Sequence, residues 1–272
     1  MLAAAPSRSD WHPFTRPDSR ARVRLFCFPH AGGSAGSYRS WQDYLPDEIE
    51  VCAVQLPGRG FRIEERPFDR LSALTRSAAD ALMPLLDVPF AFFGHSMGAL
   101  IAFELARHLR RQGFPQPSHL FASGFRAPHV PDPKLPIRHL PEADFIAALR
   151  KLGGTPESVL DSDDLRVFLP ALRADISLCE TYCHGEEVPL ACPITAFGGS
   201  QDKLVPAREL EAWAGHTAQS FERFFFPGDH FFLQQHALAM LRIITRQLRP
   251  LYDPCSAPGT RTTSAQVDAI CR

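Results

Sequence analysis

The sequence predicts an α/β architecture: a mostly parallel central sheet flanked by helices, with a helical insertion between two of its strands. Three observations predict it. Short apolar runs of β-type residues alternate along the chain with longer amphipathic stretches, the pattern of successive βα units. Most of the short runs are nearly continuous in apolar residues, as strands covered on both faces must be. One stretch, about 128–189, breaks the alternation and carries helical periodicity alone. A chain of 272 residues is long enough for one large domain, or one domain with a small insertion.

Taken in order, the strands are read at Val23–Phe28, Val51–Leu56, Phe90–Gly94, Leu120–Ser123, Ile194–Gly198 and Arg223–Phe226. Helices are read between and after them at Leu71–Leu86, Gly98–Gln112 and Phe231–Leu248. In the second helix Leu100, Phe103, Ala106 and Leu109 recur at helical spacing and give it an apolar side. The insertion opens on crowded prolines (Pro128, Pro131, Pro133, Pro136, Pro141) and continues with helical patterns at Asp144–Leu152 and Leu172–Tyr182. The expected division is a core of 1–127 and 190–249, an insertion of 128–189, and a tail of 250–272. The insertion is expected to lie over the active site as a lid. The tail, rich in Ser, Thr, Pro and Gly, is expected to be flexible.

Composition narrows the function. The net charge of −1 supplies no basic field for nucleic acid. No apolar run approaches the ~20 residues of a membrane helix. Met1 to Pro17 has scattered charge and no long apolar core, so it does not read as a signal peptide, and a cytoplasmic enzyme is expected. The seven cysteines are odd in number and show no tight pairing pattern, which fits reduced thiols. Cys179, Cys183 and His184 have no second ligand pair nearby, and no metal is expected.

The chemistry is read from three loops. The run Phe90–Gly94 enters Gly94-His95-Ser96-Met97-Gly98, a G-x-S-x-G between a strand and a helix. That context suits a nucleophilic serine on a sharp turn, with glycines where side chains would clash. The hydroxyl of Ser96 then lies near the positive end of the following helix, and it needs a base. Among eleven histidines, His230 is chosen because it follows the last strand and the turn Pro227-Gly228-Asp229, at the same sheet edge. Asp202, just past Ile194–Gly198, is the acid that orients it, with Asp229 as a weaker rival. The order Ser96, Asp202, His230 is that of an α/β-hydrolase. The oxyanion donors are expected to be the backbone N–H groups of Met97 and of Ala31, the latter in Pro29-His30-Ala31-Gly32-Gly33.

Together these segments resemble the type II thioesterases that accompany polyketide synthases and nonribosomal peptide synthetases. The likeness is carried by Phe28-Pro29-His30-Ala31-Gly32-Gly33, Gln55-Leu56-Pro57-Gly58-Arg59, Gly94-His95-Ser96-Met97-Gly98-Ala99, Leu172-Arg173-Ala174-Asp175 to Glu180-Thr181-Tyr182, and Gly228-Asp229-His230-Phe231-Phe232-Leu233. It spans about 23–248. The resemblance implies hydrolysis of an acyl thioester on the phosphopantetheine arm of an acyl or peptidyl carrier domain, with editing as the role. It implies no cofactor beyond the arm that the substrate itself carries. The absence of a carrier-like segment leads to the expectation of a discrete enzyme acting in trans. Arg59, Arg62 and Arg66 are read as cations that could meet an acidic carrier domain. The competing readings are a carboxylesterase or lipase, an acyltransferase using the same residues, and a catalytically silent binding protein of the same fold.

Overall fold

A computed structural model of the chain describes residues 8–15, 20–152 and 165–253. Six strands form its sheet: β1 (Val23–Phe28), β2 (Ile49–Ala53), β3 (Phe90–His95), β4 (His119–Ser123), β5 (Ile194–Gly199) and β6 (Phe221–Phe226). They lie in the order β2-β1-β3-β4-β5-β6, and every neighbouring pair is parallel. The helices are α1 (Leu71–Leu82), α2 (Met97–Arg111), α3 (Glu142–Leu152), α4 (Leu165–Glu180), α5 (Ala207–Glu211) and α6 (Leu233–Tyr252).

The sheet has an apolar core on each face. Phe26, Phe28, Phe90, Phe92, Leu120 and Ala122 pack on one side with α1 and α2. Val23, Leu25, Cys27, Ala91, Phe93 and Phe121 pack on the other with α6 and the 3-10 segment Ala35–Tyr44. Alternate residues of one strand thus enter opposite cores, which is why most of the strands read as nearly continuous apolar runs. Strand β6 is the exception. It lies at the sheet edge, with Glu222, Arg223 and Phe225 exposed, and its charges discourage pairing with another chain.

Several element boundaries differ from the sequence reading, those of α1, β2 and α4 among them. Helix α1 stops at Leu82 because Pro84 enters a 3-10 turn at Met83–Leu85 and cannot continue the α-helical ladder. Strand β2 begins at Ile49 and ends at Ala53, although Val54 and Leu56 stay buried. There the Gln55 N–H leaves the ladder for the carbonyl of Trp11. Helix α4 starts at Leu165, taking Pro170 into its interior, whereas the sequence reading begins the helix at Leu172.

Between β4 and β5 the described residues include the helices α3 and α4. Phe145, Leu149, Leu165, Leu169 and Leu172 form a small core of their own, apart from those of the sheet. Arg173 lies over the Phe145 ring at 4.1 Å and donates to the carbonyls of Arg138 and Leu140. Glu180 accepts from the N–H groups of Ile137 and Arg138, which fastens the proline-rich entry to α4. The tail expected from 250 begins inside a helix, since α6 runs on to Tyr252 and Leu251 and Tyr252 pack against the core. The rest of that tail, 254–272, lies outside the described residues.

The strand order also locates a crevice. The chain steps from β1 outward to β2, then crosses back over β1 to β3. In open parallel sheets this reversal leaves a gap beyond the carboxyl ends of the two strands, where ligands bind. Phe28 and His95 end those strands, so the loop at 29–33 and Ser96 flank the gap.

Candidate active site

Ser96 sits at the tightest point of the turn from β3 to α2. Its φ of 55° makes it the one non-glycine residue with positive φ among the described residues. L-residues adopt such a conformation only under constraint from their surroundings. The constraint is visible on both sides. A Cβ on Gly94 would lie 2.1 Å from the Gly98 carbonyl oxygen, and one on Gly98 would lie 2.1 Å from that of Phe28. The two glycines let α2 press against the ends of β1 and β3, and the serine is held at the helix N-terminus, where the dipole favours negative charge.

His230 reaches this serine from the loop after β6. Its Nε2 lies 2.9 Å from Ser96 Oγ, and its Nδ1 lies 2.8 Å from Asp202 Oδ2. The other oxygen of Asp202 accepts from the N–H groups of Leu204 at 2.8 Å and Val205 at 3.2 Å, so the buried carboxylate has partners on both sides. A carboxylate in this position selects the Nδ1–H tautomer and leaves Nε2 free to take a proton from the hydroxyl. Asp229 does not compete. It is exposed, and its Oδ1 caps the Phe231 N–H at 2.8 Å.

Two further imidazoles adjoin His230. His95 is fully buried, with Nδ1 2.9 Å from Ser123 Oγ and its ring 5.3 Å from that of His230. Burial, and then the neighbouring His230, holds its pKa well below the usual value. His30 packs edge-on against Phe231, and burial followed by His230 lowers it to about 4. Both rings are therefore neutral near pH 7 and place no positive charge beside His230.

The loop after β1 completes the arrangement. Among the described residues, no acceptor lies on the N–H of Ala31 or of Met97. The Gly33 N–H closes the turn onto the His30 carbonyl at 2.9 Å. The Gly32 N–H, at φ +76°, donates to Asp175 Oδ2 of α4 at 2.7 Å. Asp175 also takes both ends of the Arg59 guanidinium, at 2.5 and 2.8 Å. A hydroxyl in contact with an imidazole that a carboxylate orients can attack an acyl carbon.

These contacts correct the reading of the arginines. Arg59 is 4% exposed and Arg62 is 3% exposed, so neither is a surface cation. Arg59 turns inward to Asp175. Arg62 pairs with Glu65, donates to the Gln55 carbonyl and stacks over Trp11 at 4.5 Å. Arg66 alone of the three is exposed. Two broad surface hollows lie away from Ser96, one lined by Arg70, Arg76, His108 and Arg111, the other beside Tyr38 and Arg39. Among the described residues, no group of three or more His, Cys, Asp or Glu side chains is arranged to hold a metal ion.

The profile of the Thioesterase domain matches residues 23–248. The chain belongs to the thioesterase family. The solved structure of RedJ, a thioesterase from the prodiginine biosynthetic pathway in Streptomyces coelicolor, is 41% identical with a TM-score of 0.79. It covers 89% of this chain and 100% of RedJ. BorB, a type II thioesterase from the borrelidin biosynthetic cluster, is 36% identical with a TM-score of 0.77, covering 86% of this chain and 94% of its own. A protein named linear gramicidin dehydrogenase LgrE, from Brevibacillus parabrevis, is 49% identical over 249 residues, 90% of this chain and 94% of that protein. In the present thioesterase the loop after β1 lacks the G-x-G-x-x-G spacing of a dinucleotide site. Among the described residues of this thioesterase, no helix is long and apolar enough to cross a membrane.

The role of Asp175 escapes the sequence reading, where the residue enters only as part of a segment that carries the family likeness. The signal that could have found it is its place on the apolar stripe of α4, three residues after Leu172, where a carboxylate must have a buried partner.

Proposed function

We propose that this protein is a type II thioesterase that hydrolyses acyl groups from the phosphopantetheine arm of carrier domains, by way of an acyl-enzyme on Ser96. The observation that carries the reading is the continuous set of hydrogen bonds from Ser96 Oγ through His230 to Asp202, at 2.9 and 2.8 Å, set in a chain of the thioesterase family. Ser96 Oγ attacks the thioester carbonyl carbon while His230 Nε2 takes its proton. The oxyanion of the tetrahedral intermediate accepts from the N–H groups of Ala31 and Met97. The C–S bond breaks, His230 returns the proton to the departing thiol, and the acyl group stays on Ser96. Water then attacks the ester, giving up its proton to His230. Collapse of the second intermediate releases the acid and restores the serine. Nothing in this sequence calls for a metal or a bound cofactor, since the phosphopantetheine arrives on the substrate.

The likeness to type II thioesterases of antibiotic pathways supports an editing role in the cytoplasm, clearing stalled acyl groups from carrier domains. The helices α3 and α4 act in this reading as the lid of the acyl chamber. Arg66 is the one predicted docking cation that remains on the surface. The test measures kcat/KM on an acyl-carrier protein against oxygen esters of the same acyl group. A marked preference for the carrier is expected; a preference for the oxygen esters would return the protein to the carboxylesterases. Mass spectrometry of the product separates a free acid from an ester or amide, and hence hydrolysis from acyl transfer. A folded protein that a fluorophosphonate probe leaves unlabelled would be a silent binding protein instead.

A further inference from the structure

The insertion touches the turn at 30–33 with two residues on one face of α4. Leu172 approaches so closely that a Cβ on Gly32 would meet its Cδ2 at 2.6 Å. Asp175, three residues on, accepts the Gly32 N–H at 2.7 Å. The carboxylate is 1% exposed and shares its oxygens with Arg59, which in turn donates to the Gly33 carbonyl. Arg59 is itself held from behind, since its carbonyl accepts from Gln55 Nε2, and Gln55 Oε1 accepts the Ala35 N–H.

The geometry of the peptide unit gives these contacts a consequence. A trans peptide points its C=O and its N–H in opposite directions. The bond from Gly33 N–H to the His30 carbonyl therefore fixes where the Ala31 N–H points. The next peptide, Ala31–Gly32, is fixed by the bond from Gly32 N–H to Asp175. With both planes held, φ and ψ of Ala31 are restrained from either side. Stability gives little reason for a charge here, because a buried ion pair is commonly no better than an apolar pair of similar volume. What an apolar residue at 175 could not supply is an acceptor for the Gly32 N–H.

We propose that Asp175 is a positioning residue of the oxyanion hole, holding from the insertion the turn that aims the Ala31 N–H. The inference rests on the serine-hydrolase reading above and deepens it, since it makes the seating of α4 a condition of fast acyl transfer. When α4 is seated the hole is aimed. When α4 lifts, Gly32 loses its acceptor and the hole loses its alignment.

Two double variants isolate the acceptor. Arg59→Met with Asp175→Leu, and Arg59→Met with Asp175→Asn, both remove the ion pair and carry side chains of similar size at 175, but only Asn can accept from Gly32. The Leu pair is expected to lose roughly 10–100-fold in kcat on a small thioester, with KM moving far less. The Asn pair is expected to recover at least about tenfold of that loss. Affinity for an alkyl boronic acid, whose tetrahedral adduct on Ser96 places an anionic oxygen in the hole, should follow kcat. Should loss of Arg59 prevent folding, the same contrast is read between Asp175→Leu and Asp175→Asn alone, per folded molecule. Equal kcat for Leu and Asn, or a loss confined to KM with boronate affinity unchanged, overturns the proposal. Failure of the underlying reading looks different, because the unaltered protein would then be unlabelled by a fluorophosphonate.

Discussion

Ser96 shows how the site trades backbone strain for reactivity. An L-residue at φ 55° is costly, and the hydroxyl is the reason to keep one there. Ser96→Ala should lower kcat by about 10⁴-fold or more without unfolding the protein. Ser96→Gly should be equally inactive yet more stable than Ser96→Ala by about 1 kcal/mol, a rise of roughly 2–4 °C in thermal midpoint. A glycine variant no more stable than the alanine one would mean that the turn is not strained. At the acid, Asp202→Asn should cost several orders of magnitude in kcat, because the amide can favour the wrong imidazole tautomer. Asp229→Asn, altering only a cap on Phe231, should cost less than tenfold; steady-state rates giving the reverse ranking would reassign the acid. These residues are legible in the sequence because each follows a strand at a turn rich in glycine. Asp175 and Arg59 are not, because their partnership joins positions 116 residues apart and no local pattern encodes it.

Among the elements, the strands are the most legible and the insertion the least. The run Val23–Phe28, apolar but for Arg24, comes through without change, since burial on both faces favours a nearly continuous apolar pattern. Helix ends shift where a proline decides the matter, at Pro84 against the ladder and at Pro170 within it. The insertion reads as helical, but its private core is invisible to periodicity, because Phe145 and Leu172 could equally have packed on the sheet. That private core makes a prediction. Phe145→Ala removes a fully buried ring, a change that typically costs about 3–5 kcal/mol. The loss should fall on α3 and α4, not on the sheet. Hydrogen exchange should accelerate at amides of 142–152 and 165–180 while those of β3 and β4 keep their protection. Uniform acceleration across the sheet would show that the insertion is no separate unit.

For the molecule as a whole, buried histidines set the response to acid. His30, His119 and His216 are each lowered from 6.5 to about 4, with burial the leading cause in every case. In the unfolded chain each takes up a proton near 6.5, whereas the folded chain resists until about 4. As pH falls through that window the unfolded state binds more protons, so stability held in full above 6.5 is lost progressively down to about 4. Thermal midpoints measured across the window should fall steadily, and a flat profile would mean that these rings are not neutral in the fold. The strand order carries a last consequence, for assembly in time. Ser96 follows β3, whereas Asp202 and His230 follow β5 and β6, a pair that joins β3 only through β4. Parallel neighbours are joined by long crossovers and pair slowly. A refolding chain therefore cannot react with a phosphonate until its last edge strand has docked, and the return of that reactivity marks completion of the sheet.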